Sequence, residues 1–197
     1  MEIQCLLQRQ VTLPHTSWMT RASESAEFVA WTESVIDFAE TRYMEENVAH
    51  RAIAYFVTYL STCPPDVTWD SLMWQRVASV WLAMKATRDF NSPASKFLES
   101  TRAIHTVTRE HVQALVCAER DVCSATGFQL HHPTPVDFVH AICDSMGSDA
   151  STRDRYVQAL RHTAYGTPVF LPPVHRAAIA ICRVDPRMAK LLGSRIN

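Results

Sequence analysis

Glycine is scarce in this chain: there are four in 197 residues. Neither Asn-Gly nor Asp-Gly occurs, and no stretch keeps up a strict apolar–polar alternation, so hairpins and a β-rich fold are excluded. A charge surplus is also missing. Nineteen Lys and Arg face twenty Asp and Glu, for a net charge of -1 and a pI near 6.7. That balance argues against nucleic acid or an anionic membrane as a direct partner. No apolar run approaches the roughly 20 residues that span a bilayer. The segment Met1-Glu2-Ile3-Gln4-Cys5-Leu6-Leu7 has no basic n-region, so no signal peptide is expected. None of the six cysteines forms a CxxC pair. They read as small apolar core residues in a reducing compartment, not as a disulfide framework. A soluble, intracellular protein is the expectation.

What is present is helix-forming material. The chain is 47% hydrophobic and 20% charged, which suits one or two small domains with real cores. Over 24–41, Phe28, Trp31, Val35, Phe38 and Ala39 share one helical face, and Ser23 or Ser25 is placed to cap it. Over 45–61 apolar residues cover most of the circumference, as for a central helix of a bundle, and Pro64-Pro65 stops it. The most apolar helix is expected over 69–87. Ser92-Pro93 starts a short helix with proline in its first turn, and Thr108 opens another to about Ala125, with Gly127 as its stop.

The second half begins again at Thr134-Pro135, a cap followed by proline at the first helical position. Gly147-Ser148-Asp149 breaks that helix, and a further one covers 151–164. Pro172-Pro173 leads into a helix through Cys182, and Asp185-Pro186 opens a short last one through Met188, Leu191 and Leu192. The pattern predicts an all-α fold of two lobes.

Two charges stand out because each borders a segment that otherwise reads as buried helix. Lys85 ends the run Val77-Ala78-Ser79-Val80-Trp81-Leu82-Ala83-Met84, and Glu119 ends Val112-Gln113-Ala114-Leu115-Val116-Cys117-Ala118. Other polar features carry less. His131-His132 and the pair His140 and Cys143 lack the further ligands a zinc site needs, so no metal is expected. Ser92-Pro93, Thr134-Pro135 and Thr167-Pro168 match proline-directed phosphorylation sites, and helix capping explains the first two. Trp31, Trp74, Trp81 and Phe56 fall at core spacing, which disfavours a base-stacking platform. No Ser/His/Asp signature, glycine-rich phosphate loop or apolar-flanked carboxylate pair is found, so neither enzymatic activity nor a cofactor is expected.

The order and spacing of these elements from about residue 24 to 192 resemble a cyclin. Cyclin boxes open with a helix written MRAILVDW, and Trp31 fills the tryptophan place. Tyr55-Phe56-Val57-Thr58-Tyr59-Leu60-Ser61 resembles YxDRFLS, and Ala83-Met84-Lys85-Ala86-Thr87-Arg88 resembles ASKxEE. Ala118-Glu119, then Phe128, Leu130, Pro133, Thr134 and Pro135, match ME followed by F-x-L-x-x-P-T-P. Pro172-Pro173-Val174-His175-Arg176-Ala177-Ala178 resembles the PS-x-x-A-A-A of the second box. The resemblance implies an N-terminal arm over 1–22, a five-helix cyclin box over 23–132, and a second, truncated cyclin-like helical lobe over 133–197.

It also implies a role. In the family a lysine and a glutamate from two helices contact a cyclin-dependent protein kinase, and here Lys85 and Glu119 take those places. Thr87 and Arg88 replace two glutamates beside that contact, the second of which touches the kinase, so Arg88 reverses a charge there. The substrate-docking patch falls on Glu24, Glu27, Phe28 and Trp31, where two glutamates are poor material for an apolar groove, so docking is expected to be absent or altered. Val57 and Thr58 stand for Asp-Arg, so a structural polar network is missing or rebuilt. No RxxL or KEN string occurs. The implied protein is a non-catalytic kinase regulator in a heterodimer, in the nucleus or cytoplasm. The alternative is a cyclin-fold adaptor or transcription-machinery protein that activates no kinase. Breaking a partly buried Lys–Glu pair by removing one partner is expected to cost about 3–5 kcal/mol.

Overall fold

The computed structural model describes residues 3–9, 25–42, 44–45, 47–64, 66–87, 92–101, 104–164, 171–190 and 192. Among these no strand occurs. The helices are α1 (Ile3–Arg9), α2 (Ala26–Thr41), α3 (Asn47–Leu60), α4 (Met73–Lys85), α5 (Ala94–Ser100), α6 (Arg109–Ala125), α7 (Pro135–Met146), α8 (Ala150–Ala164) and α9 (Pro173–Val184). A 3-10 turn, Asp70–Leu72, leads into α4, so the helix expected from residue 69 begins later. The chain divides into two compact units, Tyr43–His131 and a discontinuous one made of Met1–Arg42 with His132–Asn197. Helix α2, expected within the first box, shares the unit of the C-terminal half.

In the continuous unit, α4 packs against both α3 and α6, and α5 packs on α6. Helix α3 is buried over most of its surface, with Ala52, Ile53, Tyr55 and Phe56 fully enclosed. Each large apolar side chain so enclosed stabilises the fold by about 1.5–3 kcal/mol. Val57 is also buried, and the Thr58 hydroxyl donates to the Ala54 carbonyl at 2.8 Å. At these two positions the chain builds apolar packing and a bond within its own helix. Proline is not inside α5. Pro93 has an extended ψ of 152° and sits as the cap, outside the first turn, and no side chain caps that end.

The end of α6 has a defined geometry. Gly127 N–H donates to Ser124 and Phe128 N–H to the Cys123 carbonyl, the paired bonds of a Schellman motif. Gly127 has the expected positive φ of 59°, but so does Phe128. A left-handed conformation is strained for a residue with a Cβ, by about 1–2 kcal/mol. Two residues on, the Leu130 carbonyl accepts a hydrogen bond from the Tyr55 hydroxyl of α3.

In the discontinuous unit, α7, α8 and α9 pack mutually and α1 lies on α7. Its core includes Leu6, Phe138, Val139, Ile142, Leu160, Ala177 and Ile181. Thr134 caps α7 in a capping box with Asp137, and Pro135 is the first helical residue, both as the sequence predicts. Ser25 caps α2 through Phe28 N–H at 3.2 Å. The buried stripe of α2 is Phe28, Thr32, Val35, Ile36 and Ala39, turned from the expected one. The large rings of Trp31 and Phe38 are only half-buried and flank it. Thr32 tolerates burial because its hydroxyl donates to Phe28 O at 3.0 Å. After α9, Asp185 accepts from Arg187 N–H, and helical backbone resumes at 188–190.

Candidate functional site

Helices α4 and α6 run parallel, because their contacts advance together. Trp74 lies 5.9 Å from the His111 ring, and two turns on Trp81 meets Glu119. Over Ala78–Met84 the first of these helices is buried, and Lys85 is its last residue, exposed. The positive charge there suits the negative end of the helix dipole. The sequence places an acid on α6 at the height where Lys85 emerges.

The two charges pair: Lys85 Nζ is 2.5 Å from Glu119 Oε1. The other carboxylate oxygen is also engaged. The indole Nε1–H of Trp81 donates to Glu119 Oε2 at 2.8 Å. Trp81 is 5% exposed and is locked by the Phe97 ring at 4.9 Å. Glu119 is therefore held from inside the core by a rigid donor and from outside by a half-exposed cation, which also lies 5.5 Å from the Trp81 ring. Cys123, one turn further along α6, senses the same cluster. Burial pushes its thiol up, Glu119 adds to that, and Lys85 opposes it.

Side-chain exposure is 44% for Lys85 and 19% for Glu119. That revises the expected energetics. A pair with one partner in solvent is worth about 0–1 kcal/mol. The hydrogen bond from a buried indole to a carboxylate carries more, about 1.5–3 kcal/mol. Sequence reasoning placed Trp81 in the core and missed it as a ligand of Glu119, since apolar spacing reports the ring and not where its N–H points.

The remaining candidates are distributed differently. Thr87 is half-buried and its hydroxyl donates to the Met84 carbonyl at 2.6 Å. Arg88 and Glu24 lie outside the described residues. Glu27 is exposed, Trp31 half-buried and Phe28 fully enclosed, 5.8 Å from the Trp31 ring. A ring with no exposed surface offers nothing to a docking segment. Thr134 is buried, its hydroxyl donating to Asp137 Oδ2 at 2.9 Å. Ser92 caps nothing, and Thr167 lies outside the described residues. Among the described residues no group of three His, Cys, Asp or Glu could hold a metal, and no helix is long and apolar enough to cross a membrane.

A second feature belongs to the same unit. Phe128, nine residues after Glu119, is 71% exposed, more than any other large hydrophobic side chain among the described residues. It combines that exposure with its left-handed backbone. The motif spacing located this residue, but neither its solvent exposure nor its strain could be read from it.

No protein-family model matches the sequence, and no curated protein matches it significantly. Solved structures do. One chain of a structure described as the CAK complex from Chaetomium thermophilum bound to ATP-gamma-S aligns with a TM-score of 0.61 at 17% identity. The match covers 96% of this chain and 60% of that one, so the present chain spans about three fifths of its neighbour's length. With its helices and this likeness, the chain has a cyclin-like all-α fold.

Proposed function

We propose that the chain is a regulatory subunit, without a catalytic site of its own, that binds and allosterically activates a cyclin-dependent protein kinase in cell-cycle or related signalling. The observation that carries this reading is the Trp81–Glu119–Lys85 cluster: a carboxylate fixed in direction by a buried indole, with a cation beside it at the surface. Such a pre-oriented pair loses little side-chain entropy on binding. Lys85 donates to backbone carbonyls at the end of a kinase helix, and Glu119 accepts from its amides or a basic side chain. Phe128 supplies an exposed apolar contact. The similarity to a chain of the CAK complex, solved with ATP-gamma-S, supports a protein kinase as the class of partner.

Activation follows from differential affinity. The first box packs on the kinase helix that carries the catalytic glutamate and favours its inward position, in which the kinase lysine–glutamate pair forms. A second reading, an adaptor that activates nothing, is favoured by Thr87. Its hydroxyl donates to the Met84 carbonyl, so this position offers a partner an acceptor but no charge.

The test is capture of the tagged chain from its own cell extract beside Lys85→Ala and Glu119→Ala, reading bound proteins and kinase activity. A kinase captured by the wild type and lost from both variants supports the reading. A folded wild type that captures none, or one indifferent to both changes, removes it. A kinase captured without rise in activity leaves the adaptor.

A further inference from the structure

The chain holds three Ser-Pro or Thr-Pro steps, and the structure separates them. Thr134 is buried, and its hydroxyl is engaged with both the carboxylate and the N–H of Asp137, so no enzyme reaches it in the folded chain. Thr167 lies outside the described residues. Ser92 keeps part of its surface in solvent. Helix capping, which the sequence suggests for Ser92, is removed by the geometry. The cap position of α5 belongs to Pro93, and no side chain bonds to that end. Among the described residues nothing pairs with the Ser92 hydroxyl.

The backbone beside it has the shape that an enzyme cleft takes up. Pro93 is exposed, with φ -65° and ψ 152°, an extended conformation. The first turn of α5 follows, and none of Ala94, Ser95 and Lys96 is buried; the anchors Phe97 and Leu98 come after it. An end turn without buried anchors opens at little cost. That turn holds no acid, and Lys96 in it is exposed, so the stretch does not repel a phosphate. Proline at the next position selects the class of enzyme. It lacks a backbone N–H and so suits a cleft that offers no acceptor there, where any other residue would leave a donor unpaired.

We propose that Ser92 is a phosphorylation site for a proline-directed Ser/Thr protein kinase. The Ser92 hydroxyl oxygen attacks the γ-phosphorus of a nucleoside triphosphate held by that enzyme. The Oγ–P bond forms, the bond from that phosphorus to the β–γ bridging oxygen breaks, and nucleoside diphosphate leaves. The hydroxyl proton passes to a carboxylate of the enzyme. The product carries about -1.5 to -2 charges, four residues before Lys96. The site stands whether or not the chain itself regulates a kinase.

Incubation of the folded full chain with a purified proline-directed Ser/Thr kinase and ATP, mapped by mass spectrometry, tests this. Wild type, Ser92→Ala and Pro93→Ala are compared beside a synthetic peptide of residues 88–97. Wild type is expected to take phosphate on Ser92 at a rate within about tenfold of the peptide, since only an end turn has to open. Pro93→Ala keeps the hydroxyl and restores an N–H, and is expected to lose about tenfold or more in kcat/KM. Ser92→Ala is expected to take no phosphate on this stretch. A folded chain left unmodified at Ser92, or modified more slowly than that limit, overturns the proposal whatever the peptide does. Phosphate on Ser92 that Pro93→Ala leaves undiminished overturns the assignment to a proline-directed enzyme.

Discussion

The indole of Trp81 and the carboxylate of Glu119 are joined by a hydrogen bond of 2.8 Å between residues 38 apart in sequence. One end of that bond is in the core and the other is at the surface. The direction of a surface acid is thus set by the packing of a buried ring.

Removing the acid and removing the cation should therefore have unequal effects on stability. Glu119→Ala leaves a buried indole N–H without its acceptor and is expected to cost about 1.5–3 kcal/mol. Lys85→Ala, with its amine half in solvent, is expected to cost under about 1 kcal/mol. Urea unfolding of both variants checks this, and equal losses would put the stabilisation in the ion pair.

Trp81→Phe separates positioning from packing. It keeps an aromatic ring against Phe97 and deletes the donor to Glu119. A loss of about 1–2 kcal/mol is expected by chemical denaturation. Kinase capture should weaken although no surface group has changed. Unchanged capture would mean that Glu119 needs no orientation from within.

Phe128→Gly tests whether an exposed ring is kept for binding. Glycine accepts the positive φ that Phe128 holds, so the stability of the free chain should rise by up to about 1 kcal/mol. Capture of the partner should fall. A variant that is more stable and binds as well as wild type would leave the ring without a role.

Alkali should destabilise the Tyr43–His131 unit through Tyr55. Burial raises this phenol from 10.0 to about 12, while its hydroxyl donates to Leu130. The folded state holds the proton more tightly than the unfolded one. Its contribution is therefore complete below pH 10 and is lost as pH rises through about 12. Tyr59 is raised to about 12 as well, first by burial, and shares the window. Unfolding midpoints at pH 9 and 11.5 should fall less in Tyr55→Phe than in wild type.

Much of this was legible before any coordinates. Thr108 and Thr134 announce their helices because side-chain caps are local chemistry, and both form capping boxes. Lys85 and Glu119 were legible because a charge at the rim of an apolar run has few places to go, and they meet. What stayed hidden depends on how one helix lies against another. The stripe of α2 turned to include Thr32 and Ile36, and Trp81 gained a partner only because α4 and α6 pack in parallel register. The backbone of Phe128 was hidden too, since a glycine announces a left-handed turn and the following residue does not.

The discontinuous unit has a consequence for biosynthesis. The Tyr43–His131 unit is one continuous stretch and can close as soon as residue 131 is free of the ribosome. Helix α2 is made earlier but belongs with residues that come later. At about 5–20 residues per second, the next sixty take roughly 3–12 s to be added. Through that interval α2 waits for the rest of the unit with which it is grouped. A nascent chain stalled between the two would present this apolar helix to chaperones.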